Sequence, residues 1–163
     1  MKITHLEDRV EDYKRSIQTV VEKKILWKNE IRKLILKTLH AIADAYPIGW
    51  RVQELSWIHS NEAVNITFDS FPPGLIEKTN QIPSYQFIQG GTLLFSQSYS
   101  GDIYTIILFP VPDNSPVENE NIELGIHPPS QINEKLVIET VDTFLREMIK
   151  WELPSLRGKV GFH

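Results

Sequence analysis

The sequence predicts an α+β fold: a long N-terminal helix, an antiparallel sheet of four or five strands, and a C-terminal helix packed on that sheet. Three observations carry this. Residues 5–46 contain neither Gly nor Pro and repeat apolar side chains at helical spacing. From Trp50 to Ile126 the pattern changes to short apolar/polar alternations punctuated by Pro and Gly. After Pro128-Pro129 a helical period returns and stops at Pro154. Strands grouped between helices, rather than alternating with them, make the class α+β and not α/β.

The first helix opens at Thr4-His5-Leu6-Glu7, which fits a capping box, and closes before Pro47 and Gly49. At 1.5 Å per residue its 42 residues span roughly 63 Å. A compact body made of the other residues has a radius of gyration of only about 13 Å. The helix therefore overhangs: it projects as an arm, or it folds back at Lys28-Asn29, the one weak turn candidate.

Heptad positions a and d run without a skip through Ile3, Leu6, Val10, Tyr13, Ile17, Val20, Lys24, Trp27, Ile31, Leu34, Thr38, Ala41 and Ala45, and eleven of these thirteen are apolar. Ile25, Leu26, Ile35, Leu36, Leu39 and Ile42 widen the second half into a face suited to packing on a sheet. The half before Val21 keeps a narrow seam, so Leu6, Val10, Tyr13, Ile17 and Val20 form the candidate oligomer interface. In a parallel pair Arg9 would face Lys14, Ser16 Val21, Lys23 Lys28, and Glu30 Ile35; two of these are repulsive and none attractive. An antiparallel pair, or another helix as partner, fits better.

The strands follow in order. Trp50 and Val52 alternate with Arg51 and Gln53, then Leu55 and Trp57 take the opposite parity, which predicts a bulge near Gln53-Glu54. Val64, Ile66 and Phe68 form a half-buried strand ended by Pro72-Pro73-Gly74. Residues 75–80 read as one or two helical turns, and Tyr85 to Ile88 as a further strand candidate. Gly90-Gly91-Thr92 lacks the Lys of a phosphate-binding loop and reads as a bend into the next strand. Leu93 to Tyr99 and Ile103 to Val111 flank a tight turn at Ser100-Gly101-Asp102 and form an antiparallel hairpin. The second arm, apolar on both faces, reads as the central strand. Ile122, Leu124 and Ile126 allow a fifth strand. Ser130 can cap the last helix, whose apolar face is Val137, Val141, Phe144, Leu145 and Met148. The expected organisation is a coiled-coil-like helix over residues 1–46, then an α+β domain over 47–163 ending in a loose tail.

Composition narrows the function. The 163 residues include no Cys, which removes disulfides, thiol nucleophiles and Cys-based zinc sites. No apolar stretch reaches membrane-spanning length, and no signal core lies near Met1, so a cytoplasmic location without membrane contact is expected. Residues 1–46 carry ten Lys/Arg against seven Asp/Glu, whereas 47–133 carry only Arg51 and Lys78 against nine acids. Phosphate backbones need clustered cations, so the β-rich part is no nucleic-acid surface. The basic clusters Lys23-Lys24-Lys28 and Arg32-Lys33-Lys37 read as a solvated helix face.

Catalytic patterns are missing. There is no Gly-x-Ser-x-Gly elbow, no Ser-x-x-Lys, and no cofactor motif, so no cofactor is expected. His40 and Asp44 share a helix face but are only two ligands, and zinc usually takes at least three from protein. His59 and His127 sit at strand ends, where Glu62 or Asp69 would have to join them. Trp27, Trp50, Trp57 and Trp151 suit a core between sheet and helices; a binding cup on the sheet is the alternative. The expected function is a non-enzymatic, homo-oligomeric adaptor or chaperone-like module, with a protein partner. A ligand-binding sensory domain with a pocket on the sheet, and a metal-dependent hydrolase or nuclease, are the alternatives.

Overall fold

The computed structural model describes residues 1–56, 61–83, 86–111 and 121–155. A single 3-10 turn, Thr4–Leu6, leads into α1, Glu7–Leu26, then a π-helical turn, Trp27–Ile31, then α2, Arg32–Ala45. The helix is thus continuous, and the alternative of a hairpin at Lys28-Asn29 is excluded. The capping box does not form: no side chain caps the first turn, which tightens to 3-10 geometry instead. The heptad is also interrupted. The π turn holds one more residue than an α turn, and it sets both Trp27 and Ile31 into the core. Beyond it the buried face follows Ile31, Ile35, Thr38 and Leu39, rotated off the a/d seam.

The sheet is a five-stranded antiparallel meander in the order β1-β2-β3-β4-β5. Its strands are β1, Trp50–Ser56; β2, Glu62–Phe68; β3, Thr92–Gln97; β4, Ile103–Leu108; and β5, Asn121–His127. The α+β architecture and the β3–β4 hairpin match the sequence reading. The central strand is β3, not the Ile103–Val111 segment, because β5 extends the sheet by only one strand beyond β4. No bulge occurs at Gln53-Glu54, where β1 pairs with β2 in unbroken register. The parity change arises because Glu54 takes a helix-side position at the margin, 3.9 Å from Arg32, while Leu55 points to the opposite face. The bulge lies instead between Thr105 and Ile106, where β5 spends the extra residue Leu124.

Cross-strand register sorts the faces. Val52, Ile66, Leu93, Ile107 and Ile122 align across all five strands on the helix-bearing face, with Val64 and Phe95 beside them. Ile66, Leu93 and Ile107 are fully buried there against Trp27, Ile35, Leu39 and Phe144. Residues 76–79 form a short helix, α3, and Gln86 to Ile88 is not a strand; Tyr85 lies outside the described residues. The last helix, α4, spans Glu134–Glu152. Its cap is Asn133, whose side-chain oxygen accepts from the Leu136 amide at 2.8 Å; Ser130 belongs to a preceding 3-10 turn, Pro129–Gln131. Of the tryptophans, Trp27 and Trp50 are buried in the core, Trp151 is half-buried, and Trp57 lies outside the described residues.

Ile107 has no solvent exposure and sits in the middle of the covered face. Ile107→Ala is expected to cost about 2–5 kcal/mol, the range for truncating a core aliphatic. Chemical unfolding monitored by tryptophan fluorescence checks this against the parent.

Candidate functional site

The feature that the fold leaves unexplained is the first half of the helix. No side chain from Met1 to Thr19 is buried. Leu6, Val10, Tyr13 and Ile17 lie along one side of α1 at 47%, 49%, 67% and 48% exposure, and Val21 continues the row. Arg9 and Arg15 bond to Asp12, and Lys14 to Glu11 at 3.2 Å, so the polar side is laced by local ion pairs. Such exposed pairs contribute only tenths of a kcal/mol each.

Val20 differs from the other candidate interface residues, because the body begins there. It is half-buried beside the β3–β4 turn. Gly101 in that turn has φ +88°, and a Cβ on it would come within 2.6 Å of the Lys23 Cβ. Only glycine permits both the turn and this approach. Lys23 Nζ then donates to Asp102 Oδ1 at 2.8 Å, with both side chains about three-quarters covered. One turn further on, the buried Trp27 donates its indole N–H to Glu62 Oε2 at 3.1 Å, and Arg32 donates to the same oxygen at 3.3 Å. These contacts fix the root of the arm to the sheet. They also engage Lys23 and Arg32, two members of the basic clusters that the sequence suggests are a solvated helix face.

A second feature is a cleft of about 490 Å³ at the end of the sheet, beneath the C-terminal half of α4. Its walls include Phe68, Phe71, Phe87, Leu145, Met148 and Ile149. Gly91, at φ +102°, lets α4 approach, since a Cβ there would lie 2.5 Å from the Met148 methyl. Phe71 and Phe87 meet edge to face with centroids 5.2 Å apart. Glu152 is the one charged side chain in this lining. Its side chain lies exposed at the edge of the cleft, where partial desolvation still raises its pKa above the ordinary glutamate value. The sequence reading missed this cleft. Its only legible trace is a second apolar row on α4, Leu145, Ile149 and Leu153, beside the core row.

The metal candidates do not assemble. His40 and Asp44 are both exposed at the rim of a shallow depression near Pro47 and Trp50. His127 is half-buried in β5 opposite Ile103, Glu62 is engaged by Trp27 and Arg32, and Asp69 pairs with Arg51 at 3.1 Å. His59 lies outside the described residues. Among the described residues no three His, Asp or Glu converge on one point, and no helix is long and apolar enough to cross a membrane. No known protein family, curated protein or solved structure matches this chain.

Glu152 gives the cleft a pH signature. Because its pKa is raised on folding, the folded protein holds the proton more tightly than the unfolded chain. That contribution favours the fold at low pH and is lost as pH rises from the ordinary glutamate value through the raised one. Glu152→Gln is therefore expected to raise the melting temperature at pH 7, with the difference from the parent vanishing below about pH 4. Thermal unfolding at the two pH values tests this.

Proposed function

We propose that this protein is a non-enzymatic interaction module that works as a homo-oligomer, with the N-terminal helical arm as its association surface. The observation that carries this is the row Leu6, Val10, Tyr13, Ile17 and Val21, exposed on a helix that its own body does not cover. A contiguous apolar stripe of this kind marks interaction sites. Helix physics adds a second argument. Protein helices draw most of their stability from packing an apolar face. The arm draws none from its own sheet, so a partner helix supplies what it lacks. An adaptor or chaperone-like role, in which the arm joins copies and the body is presented, suits this division.

Association is expected to appear as a dimer mass by light scattering at high micromolar concentration; a monomer mass there overturns the reading. Val10→Asp with Ile17→Asp places unpaired charges in the seam, each costing several kcal/mol. The variant is expected to be monomeric and less helical, while its sheet still unfolds cooperatively.

A ligand-binding role is the second reading, supported by the apolar cleft with its single carboxylate. The cleft lies at the end of the sheet under α4, not on the sheet face. The metal-dependent reading draws no support from the placement of His40, His127, Asp44 and Asp69. Nucleic acid is not the partner this surface suits: Lys23 and Arg32 are engaged by carboxylates, which leaves Lys28, Lys33 and Lys37 as the exposed members of the two basic clusters. Binding to mixed-sequence DNA or RNA at physiological salt is expected to stay weak and non-specific. Submicromolar affinity in an anisotropy titration contradicts that expectation.

A further inference from the structure

We infer that the exposed arm is covered by the same arm of a second copy, running antiparallel about a twofold axis between residues 11 and 12. The inference rests on the reading that the arm associates, and it names the partner, the direction and the register.

The register follows from the seam and from where the body starts. In an antiparallel pair, a residues of one helix meet d residues of the other. With Val10 of one copy against Tyr13 of the other, Leu6 meets Ile17. Every exposed apolar residue of the seam within the helix, from Leu6 to Ile17, then has an apolar partner. Shifting one heptad toward the body would oppose Leu6 to the cation Lys24, and the buried Trp27 side chain, turned into the core, would be lost to the seam. Shifting one heptad the other way leaves Ile17 and Val20 unmatched.

Charge selects the direction. Flanking the seam, Glu7 of one copy faces Lys14 of the other, and symmetry repeats the pair. Arg9 faces the neutral Ser16. Glu7 makes no ion pair within its own chain among the described residues, and the Lys14 side chain is 66% exposed. In the parallel arrangement Arg9 would face Lys14 twice. Lys2, whose charge would otherwise compensate, precedes the helix. The antiparallel pair also separates the bodies. Each root at Val20 lies about 13 Å from the axis at 1.5 Å per residue, which places the two sheets at opposite ends of the pair.

The chain contains no Cys, so introduced cysteines report without background. Under mild oxidation, a mixture of the Leu6→Cys and Ile17→Cys proteins is expected to form a disulfide heterodimer, and neither alone is expected to link. Two copies of position 6 would be offset by roughly 16 Å along the axis, far beyond the reach of a disulfide. Lys14→Glu is expected to raise the dimer dissociation constant about tenfold, as two attractive pairs become repulsive, and adding Glu7→Lys to restore it. In a parallel dimer Lys14→Glu would tighten association by satisfying Arg9. A dimer in which Leu6→Cys links to itself, in which the mixture does not link, or which Lys14→Glu strengthens overturns the antiparallel register and leaves the association reading standing. A monomer overturns both.

Discussion

A helix cannot be buried by a sheet much shorter than itself, and that mismatch of length governs this molecule. The run from Thr4 to Ala45 extends roughly 63 Å, whereas the strands of six or seven residues extend roughly 20–23 Å. The chain resolves the mismatch by dividing the helix. Its second half, from Trp27 on, carries the bulk that the sheet needs. Its first half carries a narrow stripe with nothing of its own to rest on. The boundary is held by three contacts of different kinds: a close approach at Gly101, an ion pair between Lys23 and Asp102, and the shared carboxylate of Glu62.

Much of this was legible in the sequence. A Gly- and Pro-free stretch longer than any small sheet forces an overhang, and the narrowing of the apolar face before Val21 locates it. The strand from Val64 to Phe68 showed its alternation because Val64, Ile66 and Phe68 share the helix-bearing face, while Leu93 to Leu108 showed apolar residues on both faces, as Leu94 is buried opposite the helices. Where the reading failed, long-range contacts overrode local pattern. Trp27–Ile31 contains no residue that announces a π turn; the extra residue follows from setting both ends of that segment into one core. Glu54 broke the parity of β1 because Arg32, distant in sequence, comes near it at the sheet margin. The cleft was invisible because its walls come from Phe68, Phe71, Phe87 and the far side of α4, which share no period.

Electrostatics follow the same division. The net positive charge of the helical segment and the acidity of the strands invite a picture of two opposed surfaces. The folded chain partly cancels them internally, with Lys23 on Asp102 and Arg32 on Glu62 and near Glu54. Those cations secure the root of the arm and are half-buried in doing so. The charge that remains on the arm is mostly local, paired along one helix, and leaves the apolar stripe as the distinguishing feature of that surface.

The meander has a consequence for biosynthesis. Strands that pair in the order they are made never wait for a later strand to be inserted between them, and the β3–β4 hairpin needs only local closure. The cover is another matter, because its two pieces come from opposite ends of the chain. After Leu108 has been made, 44 further residues must be added before Glu152 completes α4, which takes roughly 2–9 seconds at 5–20 residues per second. During that interval the face bearing Leu93, Phe95 and Ile107 has only its N-terminal cover. Until α4 is made, the apolar side chains it covers stay open to contacts that the finished fold excludes.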